Sequence, residues 1–158
     1  MVDVEGLLIT LNDVSISEEE KANAIGILGD LALDYSLLQG IGDDTLIRLL
    51  DSSNHYIRCQ AAEILGEIGA KAAVEPLISM LNEDDNFDIQ FSVIGALYGI
   101  GDRRAIGPIL ELAKKDIKSV EMDSVLTALE ILGFRGVVLV IDREQVSPER
   151  YQLDIESI

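Results

Sequence analysis

The 158-residue chain has 12 basic and 29 acidic side chains, a formal charge of −17, and a composition that is 48% hydrophobic but only 4% aromatic. So acidic a surface repels the phosphate backbone that dominates nucleic-acid affinity, which argues against DNA or RNA as a partner and favours a basic protein surface. A chain of this length and composition forms one globular domain, whose core must be aliphatic.

The cysteine count and the hydropathy pattern favour a cytoplasmic protein. Cys59 is the single cysteine, so no internal disulfide can form. No apolar stretch reaches the roughly 20 residues that a membrane-spanning helix needs, and the N-terminus lacks the basic flank of a secretory signal. We therefore expect a cytoplasmic protein without a membrane partner.

The first two helices can be located from hydrophobic spacing and capping residues. Apolar side chains recur at helical intervals up to Leu11, which predicts a short leading helix. Ser15 and Ser17 precede three glutamates, a pattern typical of a serine N-cap and an acidic first turn, and this second helix should end near Asp34. Two glycines follow in a linker that is longer than the later turns.

Equivalent residues recur at a fixed interval through the middle of the chain. Pro76 and Pro108 stand 32 residues apart, each a short way into a helix, and Gly69 and Gly101 close the preceding helices. Glycine permits the left-handed conformation that a helix C-terminus favours. A period of this size predicts stacked pairs of helices. The apolar positions that keep the interval are Ile57, Ala61, Leu65 and Ile68, then Ile89, Val93, Leu97 and Ile100, then Leu129 and Leu132.

These residues resemble a HEAT repeat, specifically the short subclass called phycobiliprotein-lyase HEAT-like repeats. The resemblance is carried by the segments Leu50-Asp51, Ile57-Arg58, Ala61-Ala62, Leu65-Gly66-Glu67-Ile68-Gly69 and Ala73-Val74-Glu75-Pro76-Leu77. It covers roughly residues 18 to 134 and implies an all-α αα-superhelix, a HEAT-like solenoid of about four helical pairs, in which the second helix of each pair lines the concave side. It also implies that Arg58 bonds loop carbonyls or carboxylates, such as those of Asp51 or Asp88. Gln90 stands where the family has an arginine.

Residues 1–134 are thus the predicted repeat domain, and residues 135–158 form a C-terminal capping segment of different character. Apolar, mostly β-branched residues fill positions 137–141, and Tyr151, Leu153 and Ile155 then alternate with polar residues. This pattern fits either a short helix or a pair of extended segments, and we favour the extended form. An uncovered strand edge would pair with a second copy, so we expect a monomer or a homodimer formed through this segment.

Helical periodicity identifies the residues expected to face the concave groove. At about 100° per residue, His55, Cys59, Glu63 and Gly66 lie opposite the buried stripe of their helix. Their counterparts are Phe87, Phe91, Gly95 and Tyr98 in the third unit, and Ser119, Asp123, Thr127 and Glu130 in the fourth. Exposed aromatic residues with acidic neighbours are typical of an interaction site. The predicted partner contacts are Phe87, Phe91, Tyr98, Glu63, Asp123, Glu130 and His55; the alternative is that packing between repeats covers the rings.

The residue types that most often carry chemistry lack partners in this sequence. His55 is the only histidine, and no second histidine or cysteine completes a metal-ligand set with it. Cys59 has no histidine at a recognisable local spacing, so it should be a small residue near the groove rather than a nucleophile. The acidic turn at residues 82–88 starts like a calcium loop but fails at Ile89 and Gly95, where glycine and a bidentate glutamate are required. We expect no catalytic residue, metal or cofactor.

The sequence therefore predicts a protein without catalytic activity, a scaffold or adaptor that presents an acidic concave groove to a partner protein whose surface is basic or mixed basic and apolar. A second hypothesis, supplied by the resemblance, is a chromophore-lyase-like subunit that binds a bilin and its carrier protein. A third is an acidic inhibitor that mimics nucleic acid. Absorbance titration with a bilin tests the second hypothesis, and salt dependence of partner binding tests the third.

Overall fold

The computed structural model describes residues 3–32, 43–83 and 86–115, and every regular element in these ranges is helical. This confirms the all-α prediction. The fourth second helix, the domain boundary at residue 134 and the capping segment 135–158 lie outside the described residues. The α-helices in the described ranges are α1 (Val4–Asn12), α2 (Glu18–Ala32), α3 (Asp43–Leu49), α4 (His55–Glu67), α5 (Val74–Glu83), α6 (Phe87–Ile100) and α7 (Ile106–Lys115).

The helices form antiparallel pairs that stack side by side in two layers. α1 pairs with α2, α3 with α4 and α5 with α6, and α7 packs against α5 as the start of a further unit. The second helices α2, α4 and α6 follow one another in one layer, which we call the second-helix layer, with α4 between its two neighbours. The first helices α1, α3, α5 and α7 form the first-helix layer. This arrangement is the αα-superhelix expected from the repeat.

The helix starts follow from capping residues in the sequence. Ser17 Oγ accepts a hydrogen bond from the Glu20 N–H at 3.3 Å, and Glu20 Oε2 accepts one from the Ser17 N–H at 3.1 Å, which confirms the predicted serine cap of α2. Asn54 and Asn86 cap α4 and α6 in the same way, each with its side-chain oxygen accepting from a backbone N–H two residues later. The end of the acidic turn, at Asn86, thus begins α6.

The helix ends use the predicted glycines. Gly69 has φ 65° and Gly101 has φ 71°, both in the left-handed region, and each ends a second helix. A single 3₁₀ turn follows each glycine, at Lys71–Ala73 and Arg103–Ala105, and leads directly into the next first helix. The sequence predicted a simple turn here, and the 3₁₀ geometry is an addition from the structure.

In the part of the chain that the structure describes, the core lies between the two layers and is mainly aliphatic. Fully buried side chains come from both layers, as expected if successive units shield each other's apolar faces. Examples are Leu28, Ile57, Leu65, Leu77 and Ile109. The outer surface of the second-helix layer remains open and carries the candidate site.

Candidate functional site

Two helices of the second-helix layer, α4 and α6, approach so closely that their backbones touch. A Cβ atom added at Gly66 would lie 2.6 Å from the Ala96 Cα, and one added at Gly99 would lie 2.8 Å from the Gly66 carbonyl oxygen. Neither position has room for a larger residue unless the helices move apart. Glycine is therefore required by the contact between the helices, and this contact forms the floor of a groove.

The groove runs along the seam between α4 and α6 and has a volume of about 380 Å³. Its floor is made of small residues, and Gly95 leaves open space there, because a Cβ atom added at this position would meet no atom within 4 Å. The lining residues are Glu63, Gly66, Glu67, Phe91, Ser92, Gly95, Ala96, Tyr98 and Gly99. One wall, on α4, is acidic, and the other, on α6, is aromatic.

The aromatic wall consists of side chains that remain open to solvent. Phe91 is 50% exposed and Tyr98 39%, and both line the groove. Phe87 is 40% exposed and stacks on Phe91, with ring centroids 6.5 Å apart and planes inclined by 25°. Packing between the described repeats therefore does not cover these three rings. Their role in binding a partner stays a prediction.

The acidic wall is held in place by hydrogen bonds from both helices. Glu63 accepts one from the Ser92 hydroxyl at 2.9 Å and one from the Gln60 side-chain amide at 2.8 Å. Ser92 is 7% exposed and so fixes the carboxylate from below. Glu67 lies one turn further along α4 and is exposed at the same groove. The carboxylate of Glu63 is thus oriented before any ligand arrives.

Cys59 was predicted to face the groove and is covered instead. Cys59 is 9% exposed, and burial raises the pKa of its thiol, an effect partly offset by a hydrogen bond with Ser92. Gly66 has little exposed surface because α6 crosses it at Ala96, but it does line the floor of the groove, as expected. Cys59 is covered because α4 has neighbours on both sides, so much less of its circumference is open than a single-helix projection implies.

The remaining predicted contacts fall outside the groove or outside the described residues. His55 is exposed at the start of α4 and does not line the groove. Asp123 and Glu130 lie outside the described residues, so their positions relative to Glu63 are not compared. Sequence reasoning missed Ser92, although a lone hydroxyl between Phe91 and two apolar residues of α6 was the available signal.

A second hollow, with a volume of about 480 Å³, lies beside the turn between α3 and α4. Arg58 reaches into this turn and donates to the Ser52 carbonyl at 2.8 Å and to the Ser53 carbonyl at 3.4 Å. The implied bonds of Arg58 to loop carbonyls are confirmed.

No cluster of three or more potential metal ligands occurs among residues 3–32, 43–83 and 86–115. Within the same ranges every helix is too short or too polar to span a bilayer.

Comparison with known proteins identifies relatives of this fold. A sequence model of HEAT repeats matches residues 42–130. Over 63 residues the chain is 38% identical to a bilin biosynthesis protein, PecE, of Mastigocladus laminosus, which covers 40% of this chain and 23% of that protein. PecE of Nostoc sp. (strain PCC 7120 / SAG 25.82 / UTEX 2576) is also 38% identical over 63 residues, 40% of this chain and 25% of that protein. The matched segment spans about a quarter of these curated relatives.

Solved structures share the architecture over most of the chain. The complex of CpcE and CpcF of phycocyanin lyase from Nostoc sp. PCC7120 has a TM-score of 0.66 at 20% identity, and covers 84% of this chain and 54% of that chain. An engineered protein has a TM-score of 0.66 at 23% identity, and covers 84% of this chain and 63% of its own. At such identities the similarity demonstrates the fold.

The names of these relatives contradict the prediction that the chain has no catalytic activity, since they are a bilin biosynthesis protein and a phycocyanin lyase. That prediction was wrong because it assumed that one chain must carry a complete set of catalytic residues, whereas the solved lyase is a complex of two proteins. The same solved complex supports the expectation that this chain has a protein partner, without identifying that partner.

Proposed function

This chain belongs to the HEAT-repeat family, and we propose that it is a subunit of a bilin lyase. In this role the chain binds a bilin and its carrier protein along the second-helix layer. The observation that carries the proposal is the 38% identity over 63 residues to PecE in two organisms, because this is a match of sequence as well as of fold.

The described surface supports this role in two ways. The second-helix layer offers an open groove with two partly exposed rings, Phe91 and Tyr98, which is the kind of surface that binds a partner protein. Its acidic wall suits a basic or mixed basic and apolar partner. As a lyase subunit, the chain would hold the bilin and its carrier for the reaction that joins them.

Absorbance titration with biliverdin, an open-chain tetrapyrrole, tests the proposal. Biliverdin is added to the purified chain, and its visible absorption band is followed until the change saturates. The engineered protein of similar fold is the matched control, because it has the same architecture at 23% identity and so reports binding that the solenoid fold alone would give.

A saturable spectral change with this chain and none with the control would support the lyase role. An equal change with both proteins would attribute binding to the fold and contradict the proposal. An unchanged biliverdin spectrum would dismiss it.

A further inference from the structure

The α4–α6 groove has a specific combination of walls that narrows the chemistry of its occupant. Glu63 and Glu67 stand one helical turn apart on α4, so both carboxylates face the same side. Phe91 and Tyr98 face them from α6, and the floor between the walls is open at Gly95. An occupant must therefore meet negative charge on one side and aromatic rings on the other.

Anions and large flat acids fit this groove poorly. Among the described residues that line it, none is basic, so a carboxylate or phosphate would find only negative charge. Bilins carry carboxylate side chains of their own. The volume of about 380 Å³ is also near the lower end of the roughly 300–1,000 Å³ typical of small-molecule sites, which suits one or two side chains of a partner better than a whole tetrapyrrole.

We propose that the groove receives an arginine side chain from the partner protein. A guanidinium group is planar, pairs with carboxylates through paired N–H donors and stacks on aromatic faces, which are the two kinds of wall present. Its aliphatic stem would lie across the glycine floor. A lysine ammonium matches the charge but lacks the planar fork and the stacking face.

The Glu63 carboxylate is prepared for this contact. Its bonds to Ser92 and Gln60 use one lone pair on each oxygen and leave further acceptor capacity toward the groove. A carboxylate already fixed in one orientation loses less conformational entropy when it binds a guanidinium. Ser92 is a positioning residue here, since it acts through Glu63.

This inference rests on the proposed function only in that both require a partner on the second-helix layer. It is tested with synthetic peptides and no bilin, so the two can fail independently. A fluorescent alanine-based peptide with spaced arginines is titrated with the full chain at physiological ionic strength, beside peptides that carry lysine or citrulline at the same positions. Citrulline has the shape of arginine without the charge.

We expect the arginine peptide to bind roughly tenfold more tightly than the lysine peptide, and the citrulline peptide to bind no more than weakly. The variant E63Q/E67Q should weaken arginine binding roughly tenfold. The control E5Q/E19Q removes the same charge from exposed sites on α1 and α2 and should change binding less than about twofold, because those charges are screened from the groove.

A second pair of variants blocks the groove without removing charge. Gly95→Leu fills the opening, while Gly107→Leu adds the same side chain to open space on α7. We expect Gly95→Leu to abolish arginine-peptide binding and Gly107→Leu to preserve it, with equal helicity and urea midpoints. The proposal would be overturned if E63Q/E67Q and E5Q/E19Q weakened arginine-peptide binding equally, or if Gly95→Leu and Gly107→Leu lost it equally. It would also be overturned if the lysine peptide bound as tightly as the arginine peptide.

Discussion

The two layers of the molecule come from the same repeat, yet their helices meet in different ways. In the second-helix layer, α4 and α6 touch backbone to backbone where Gly66 faces Ala96. In the first-helix layer, α5 and α7 share a much smaller contact. Arg104, in the turn just before α7, reaches α5 through an exposed ion pair with Glu75 at 2.8 Å. Small residues close one seam, and charged side chains span the other.

This difference places the groove in the second-helix layer. The small residues that allow α4 and α6 to approach also leave space at the surface where no side chain projects. Gly95 has that space, whereas Gly66 on the neighbouring helix has none. Neighbouring glycines thus serve opposite purposes, one for packing and one for access.

The close seam is broken most strongly by Gly66→Ala. The added methyl group would lie 2.6 Å from the Ala96 Cα, so α4 and α6 must separate, and we expect the free energy of unfolding to fall by about 3 kcal/mol. Gly107→Ala is the control, because its methyl group meets nothing within 4 Å; it should raise stability by up to about 1 kcal/mol. Urea unfolding measures both. A Gly66→Ala protein as stable as the parent would contradict the close contact.

A smaller effect within the same seam is expected from Ser92→Ala. The change removes the hydrogen bond between the Ser92 hydroxyl and Glu63, but the exposed carboxylate can bind water instead, so we expect a loss of about 1 kcal/mol. Urea unfolding of the variant beside Ser79→Ala, an exposed serine that bonds Glu83 in the first-helix layer, separates the buried bond from the exposed one. Equal losses would remove the distinction between the layers.

Much of the fold could be predicted from the sequence because the same pattern of residues occurs in successive units. The interval that relates Gly69 to Gly101 located the helix ends, and the structure has both glycines in the left-handed region. Repetition makes each position visible in more than one unit. The 3₁₀ turns were not predicted, since the choice between a turn and a 3₁₀ helix depends on small differences in backbone geometry that residue type does not specify.

The site could be predicted only in part, because its shape depends on how far apart two helices lie. Periodicity assigned Glu63 and Phe91 to an open face, and both are exposed. It assigned Cys59 to the same face, and that residue is buried under α6. A projection of one helix gives the direction of each side chain but not the position of its neighbours, so the covered residues could not be separated from the open ones.

The exposed rings of the second-helix layer should contribute to binding and little to stability. In F91S/Y98S we expect the arginine peptide to bind roughly fivefold more weakly, while the free energy of unfolding changes by less than about 0.5 kcal/mol, because both rings are already partly in water. The control I9S/I27S removes two exposed apolar side chains of α1 and α2 outside the groove. Its peptide affinity should equal that of the parent. Loss of stability in F91S/Y98S without loss of binding would assign the rings to packing.

The stability that Asp102 contributes to the first-helix layer, from the turn before α7, is expected to depend on pH. The contact between α4 and α6 at Gly66 should show no such dependence. Asp102 accepts hydrogen bonds from the Arg104 backbone N–H at 3.0 Å and from the guanidinium Nη2 at 2.9 Å. These bonds lower the pKa of the Asp102 carboxyl from 3.8 to about 2. A depressed folded-state pKa adds stability that is complete above the ordinary value of 3.8 and is lost as the pH falls through about 2.

The melting temperature measured against pH then distinguishes the two layers. Asp102→Asn should lie below the parent at neutral pH, and the gap should close between pH 3.8 and about 2, where the parent loses its ionised carboxylate. The deficit of Gly66→Ala should instead stay constant across the same window, because steric overlap between two helices involves no proton. Carbon-13 NMR of the Asp102 carboxyl provides the direct reading. A titration midpoint of 3.8 for the Asp102 carboxyl would mean that Arg104 does not stabilise the turn. The explanation of the first-helix layer by charge would then be wrong, whereas the backbone contact between α4 and α6 would be unaffected.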